Sequence, residues 1–311
     1  MKLKALSIRI PIAALSLVLI AESTLLAQAG GQAAPDEPGT ITVTGNREKQ
    51  AEAAGNQAKA VTPKPAGDVP LPRRFAPLCV VTFGIDPNYG AVLAERVMAN
   101  TRVLGLPVGG EGCSPNVWIG FVRNSKDQVA RLRKTNPEMF RDMKQFEIDR
   151  IFRGSGAAQV WHSTEQRSYD GKPLATMTIN GREVKTNPQY QAGRTVSPIR
   201  TDINGTLVIF DLDRANGLTV QQLADYATMR ALVPVLDIAE VKPGTTVPSI
   251  LTLFAKGADP RPDGLTEFDW AYLSGFYRMD RGARAVAVHD AIAKSILDGT
   301  ATTLSEKASA D

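Results

Sequence analysis

Apolar and polar positions along residues 75–299 follow two periods, and each predicts its own kind of element. Leu78-Cys79-Val80-Val81-Thr82-Phe83 is a β-prone run and predicts a strand. Asp86-Pro87 follows as helix cap and first helical residue. Leu93, Val97 and Leu104 then fall on one stripe, with Glu95 and Arg102 elsewhere, which predicts an amphipathic helix over 87–104 stopped by Gly105. Asn116 to Val122 is the next strand. A strand–helix–strand order favours parallel pairing of its two strands. Ser125 caps a short helix to Lys134, and Pro137 starts another running to Phe152 before Gly154-Ser155-Gly156 breaks the chain. Residues 157–210 read as β-structure with turns at Asp170-Gly171, Asn180-Gly181 and Asn204-Gly205, and Leu207-Val208-Ile209-Phe210 as a buried strand. Thr219 caps a helix from Val220 to Val233, and Thr266-Glu267-Phe268-Asp269 is a capping box opening a helix through Phe276. After Gly282, Ala285, Val288, Ile292 and Ile296 share one face of a last helix. No internal repeat is present. The fold class is α+β or α/β: a strand–helix–strand opening, a mixed sheet and a helical C-terminal end, in one domain over 75–299 with a flexible tail at 300–311.

The N-terminal pattern is different. Lys2, Lys4 and Arg9 precede an apolar run from Ile10 to Ile20, and Ala27-Gln28-Ala29 places small residues where a signal peptidase reads them. The run is near 11 residues, whereas a membrane span needs about 20, so the layout is that of a cleaved leader over residues 1–29. No Cys lies near the cleavage point, which argues against a lipoprotein. The expected location is periplasmic or secreted, with the mature chain starting at Gly30. Residues 30–74 are rich in Ala, Gly, Pro, Gln and Lys and poor in bulky apolar side chains, so composition reads them as a disordered tether. Within it, Thr40-Ile41-Thr42-Val43-Thr44-Gly45-Asn46-Arg47 resembles the stretch near the start of the plug of TonB-dependent receptors. It reads either as a short strand able to pair with a sheet edge or as an unstructured relic.

Charge and composition narrow the function classes. The net charge of +4 falls to +2 once a leader carrying three basic residues and one acidic residue is removed, too little for nucleic-acid binding. With 43% apolar and 22% charged residues the chain supports a packed core. Two His and two Cys exclude a multi-metal or zinc-ribbon protein. In an exported chain Cys79 and Cys113 are expected to form a disulfide rather than supply a catalytic thiol. Cys79 lies at the start of one strand and Cys113 just before the strand expected to run beside it, and a loop of about 35 residues closed in this way stabilises by roughly 3–4 kcal/mol in the chain-entropy model.

Candidate chemistry is sparse. A zincin needs two His one helical turn apart with a Glu beside the first, and Gln221-Gln222-Leu223-Ala224-Asp225 supplies neither. His162 and His289 are 127 residues apart, so no metal ligand set and no cofactor is expected. Gly154-Ser155-Gly156 is not a nucleophile elbow, and His162 and Glu165 in one strand point to opposite faces. Asp211 and Asp213 share a face at the end of a strand, and Asp225 on the following helix is within reach in principle. Such a cluster can hold a cation, polarise a water or hydrogen-bond a sugar; equally, Asp211 and Asp213 can organise the turn at Arg214-Ala215-Asn216-Gly217. Trp270 and Tyr277, seven apart, occupy a different side of their helix from Phe268, Tyr272 and Phe276, where they either line a groove for peptide or glycan or pack under the final helix.

Pro248-Ser249-Ile250, followed by Leu265-Thr266-Glu267-Phe268-Asp269-Trp270 through Tyr277, resembles the C-terminal part of a secreted bacterial family with a zincin-like metallopeptidase fold. The resemblance covers roughly residues 206–280. It implies a zincin-like body, but the family's His-Glu helix start is absent, so zinc binding and peptidase activity do not carry over. The stretch from Gln222 to Leu232, with Cys79 and Gly112-Cys113-Ser114-Pro115-Asn116, is similar to exported proteins of sphingomonad-type bacteria and implies no known activity. The combined expectation is an exported, non-catalytic envelope or periplasmic domain that binds an envelope protein or cell-wall component and is not an integral membrane protein. The alternative is a metal-independent peptide or glycan hydrolase using Asp211, Asp213 or Asp225.

Overall fold

In the computed structural model the described residues are 44–64, 69–135, 137, 156–187 and 197–310. The expected leader at 1–29, residues 40–43 of the receptor-like island, the helix expected beyond 137 and the Gly154-Ser155 break lie outside them. The chain from Val43 onward forms one unit. Its elements are α1 (Thr44–Val61), β1 (Val80–Phe83), α2 (Pro87–Val103), β2 (Val117–Val122), α3 (Ser125–Thr135), β3 (Ala158–Ser168), β4 (Ala175–Ile179), β5 (Arg182–Thr186), β6 (Ile199–Asp211), α4 (Leu212–Ala215), α5 (Val220–Leu232), α6 (Glu267–Arg278), α7 (Val288–Leu297) and α8 (Thr300–Ala310).

The class is α+β. A mixed sheet has the order β1-β2-β6-β3, with β1, β2 and β6 parallel and β3 antiparallel to β6 at one edge. The register Val117↔Thr206 and Ile119↔Val208 puts Val117, Ile119 and Phe121 on the same face as Val208 and Phe210. All five are buried, and Phe210 meets Phe121 at 5.2 Å and Tyr226 of α5 at 5.7 Å between ring centroids. Leu207 and Ile209 point the other way and are buried too, which explains why Leu207–Phe210 of β6 reads as an unbroken apolar run. The expected turn at Asn204-Gly205 is instead a bulge inside this long strand, where the register shifts opposite Ser163/Thr164. A separate hairpin, β4–β5, turns at Asn180-Gly181 as expected.

The strand–helix–strand opening is present, and the disulfide closes it. Cys79 and Cys113 are bonded across a Cα–Cα distance of 6.1 Å. The backbone amide of Cys79 donates to Asn116 Oδ1 at 3.0 Å, and the Cys79 carbonyl accepts from Val117 N, so the bridge lies where β1 and β2 start side by side.

The two ends of the body extend further than composition implies. Residues 44–61, expected in the tether, form α1, and Ala51, Ala54, Ala58 and Val61 are buried against the core on one stripe. Small side chains make this stripe invisible to a count of bulky residues, yet Ala favours helix and lets another helix come close. A Cβ on Gly55 would lie 2.8 Å from His289 Nε2, a measure of how closely α1 and α7 approach. Leu71, Arg73 and Arg74, at the end of the expected tether, are also buried. Residues 300–310, expected as a flexible tail, form α8 with Ala301 and Ala308 buried. The last apolar-faced helix is α7, preceded by a short 3₁₀ turn at Ala285–Ala287. Among the described residues no helix is long and apolar enough to cross a membrane.

Candidate functional site

Asp211 and Asp225, two of the three candidate carboxylates, are each held by hydrogen bonds within the fold. Asp211 caps α4, accepting from Asp213 N at 3.2 Å, which is the turn-organising role. Asp225 is wholly buried between α2 and α5. Its Oδ1 accepts from Arg96 Nε at 2.9 Å and Asn100 Nδ2 at 2.7 Å, and its Oδ2 from Arg96 Nη2 at 3.2 Å and Leu265 N at 3.1 Å. Four donors on two oxygens leave little capacity to accept a proton from a substrate. A cleft of about 300 Å³ beside this network is lined by Val92, Arg96, Asn100, Val103 and Ala308 among others.

The aromatic groove is filled. Trp270 is 1% exposed and belongs to the core, so it packs rather than lines a surface. Tyr277 is half-buried, and its hydroxyl donates to Leu232 O at 2.7 Å, at the end of α5. The capping box at Thr266 forms as expected. Its Asp269 also accepts from Ser249 Oγ at 2.6 Å and Ile250 N at 2.7 Å, tying the Pro248-Ser249-Ile250 segment to the start of α6. Among the described residues no three His, Cys, Asp or Glu side chains lie close enough to hold a metal ion. His289 pairs with Asp290 at 2.8 Å on α7, while His162 lies on β3.

The structure gathers another group instead, around His162. Its Nδ1 is 3.3 Å from Thr206 Oγ1, the residue opposite it on β6. Thr206 Oγ1 also accepts from Arg74 Nη2 at 2.7 Å and lies 3.4 Å from Ala231 O in the last turn of α5. Arg230, one residue earlier, donates through Nη1 to Asp237 Oδ1 and to Tyr226 Oη at 3.0 Å, and Tyr226 donates to the same Asp237 oxygen at 2.6 Å. The backbone amide of Arg74 donates to Tyr277 Oη at 3.4 Å. Beside it, Arg73 donates to Met279 O and Asp280 O at the end of α6 and stacks over Phe276 at 4.9 Å.

The electrostatics follow from this packing. Burial, with Arg74 and Arg230 adding repulsion, pushes His162 down to about 3, so the ring is neutral at ordinary pH. Burial lowers Arg74 to about 10, with Tyr277 acting in the opposite sense, and the guanidinium remains charged. Tyr277 is itself pushed up to about 12 by burial against the pull of Arg74. For Arg230 burial acts to lower the value, but Asp237 and Tyr226 outweigh it and the charge is held more firmly than usual. Arg230 thus has a carboxylate partner. Among the described residues Arg74 has none, and there its Nε and Nη1 are buried without an acceptor, as is Nε of Arg230.

Sequence reasoning weighed His162 only for metal or triad chemistry, and it missed Arg74, Thr206, Arg230 and Asp237. The one available signal was the Arg73-Arg74 pair directly before an apolar strand, and nothing in it tells a buried arginine from a solvated one. Comparison with family models, curated proteins and solved structures finds no match for this chain.

Proposed function

We propose that this chain is an exported, non-catalytic binding domain of the bacterial envelope or periplasm, taking a cell-wall component or another envelope protein as its partner. The observation that carries the reading is the fate of Asp225. On the helix where a hydrolase of the resembling family would keep its machinery, the one carboxylate is spent on Arg96, Asn100 and the Leu265 amide. Asp211 is engaged in capping, and Trp270 in the core. The leader-like N-terminus supports export, and the Cys79–Cys113 bridge suits an oxidising compartment.

Two measurements test it. Fractionation and intact mass of the expressed protein should find it outside the cytoplasm, starting at Gly30. The purified protein, with and without added zinc, should hydrolyse neither peptide nor glycan libraries. Turnover that disappears in Asp225→Asn while the fold is retained would replace this reading with the hydrolase one.

A further inference from the structure

Strands β4 and β5 form a two-stranded sheet of their own, separate from the main one, and every residue of β4 is exposed. A lone hairpin is marginal in water; a third strand or a packed face is what stabilises such a unit. The register Met177↔Val184 and Ile179↔Arg182 places Met177, Ile179 and Val184 on one face, where they are 51%, 48% and 40% exposed. Thr176, Thr178, Glu183 and Lys185 share the other face. Among the described residues no strand lies beside the outer edge of β5.

The turn decides which backbone groups face that edge. Asn180 and Gly181 both have positive φ, 51° and 74°, the two-residue hairpin turn whose flanking residues exchange both hydrogen bonds. Ile179 and Arg182 are then a hydrogen-bonded pair, and by alternation so are Met177 with Val184 and Ala175 with Thr186. Glu183 and Lys185 are left with their N–H and C=O groups pointing outward. Both residues are exposed. Lys185 is within electrostatic reach of Glu165 on β3, whose carboxylate Arg167 already holds at 2.6 Å.

A lone Lys on an edge strand blunts it against pairing. Here a Glu stands two residues away on the same face, and it makes the edge its own complement. When a second β5 is laid antiparallel with the two Val184 residues opposite, Glu183 of each copy faces Lys185 of the other. Each of these two pairs exchanges both backbone hydrogen bonds, so every outward N–H and C=O of Glu183 and Lys185 is satisfied. Opposite charges directly across favour this register. A slip of two residues sets Glu183 against Glu183 or Lys185 against Lys185, and like charges oppose it. The outward residues of β4, Thr176 and Thr178, are uncharged and specify no register.

We propose that the outer edge of β5 docks a second copy of this chain, joining the two hairpins into one four-stranded antiparallel sheet about a two-fold axis at Val184. The Val184 pair is of the non-hydrogen-bonded kind, which brings side chains closest, so the two valines meet and the apolar faces of the hairpins become continuous. This inference goes beyond the binding-domain reading and does not depend on it, since the hydrolysis assay says nothing about association.

Sedimentation equilibrium of the purified protein, from about 1 to about 200 μM, reads the association expected of a small interface. The expected result is a monomer–dimer equilibrium within that range. Glu183→Lys and Lys185→Glu each set like charges across the axis, and each should weaken dimerisation at least tenfold. Mixing these two single variants makes both cross-strand pairs opposite in sign again, so the mixture should associate as a heterodimer within threefold of the wild-type affinity; this also shows that each variant is folded. Val184→Cys adds a third cysteine to a chain whose other two are bonded to each other, and mild oxidation should link two copies through it. Met177→Cys, on the same face but on β4, should not link. A wild type that stays monomeric at the top concentration leaves the edge to some other chain and overturns the proposal. So does a mixture that associates no better than its components, or a Met177→Cys that links as fast as Val184→Cys, which would place the contact on β4.

Discussion

His162 is one of two histidines, and its setting couples folding to pH. The unfolded chain takes up that proton near 6.5, the folded chain only near 3, so protonation favours unfolding. The neutral ring's contribution is whole above pH 6.5 and is lost as pH falls toward 3. Allowing for its residual exposure, the effect is on the order of 2–4 kcal/mol, from about 1.4 kcal/mol per pKa unit. Urea midpoints of the wild type and His162→Gln, measured from pH 8 to pH 4, should converge as pH falls; curves that stay parallel would show that the ring is not held neutral. Asp269 works with the opposite sign, since burial pushes it up to about 6 against its bonds from Ser249, Ile250 and Thr266. Its cost is greatest above that value and fades in acid, so only the difference between the two proteins isolates the histidine. At this scale sequence was a partial guide. That Asp211 organises a turn was one of two open readings, and the turn chemistry is local; that Asp225 would be claimed by Arg96, 129 residues away, was not written in the residues around it.

The elements most legible in sequence are those with a local start signal. Thr219 and Thr266 each form a capping box, and each helix begins where its box says. Helix α1 is the opposite case. Its buried stripe of Ala51, Ala54 and Ala58 has little hydrophobic contrast, so its order depends on α7 lying against it. That dependence predicts a sharp response to size at Gly55, where any Cβ meets His289. Gly55→Val should destabilise by about 1–3 kcal/mol through overpacking, read as a lowered denaturation midpoint. It should also open residues 44–61 to protease before the rest of the chain. If Gly55→Val leaves both readouts unchanged, α1 is not held by this contact. The same reasoning covers α8, whose Ala301 and Ala308 are buried without a bulky residue to announce it.

For the molecule as a whole, the Cys79–Cys113 bridge and the parallel β1–β2 pair hold the same corner. Replacing both cysteines by Ser should cost roughly 3–4 kcal/mol in guanidinium unfolding, the loop-closure value. A loss under about 1 kcal/mol would mean that the Leu78–Pro107, Leu78–Gly109 and Cys79–Asn116 hydrogen bonds suffice to close the loop. Sequence alone determined what is local or paired by kind: the capped helices, the apolar run Leu207–Phe210, and two cysteines bonded to each other. Periodicity and capping act over a few residues, and two cysteines leave one possible pair. Tertiary structure alone decided which polar groups meet. Arg74 comes from a segment that composition assigns to a tether, His162 from an edge strand and Arg230 from a helix end. Their meeting leaves the Arg74 guanidinium without a carboxylate partner among the described residues. Charge balance is a sum over neighbours in space, and neighbours brought together from distant parts of a chain leave no pattern along it.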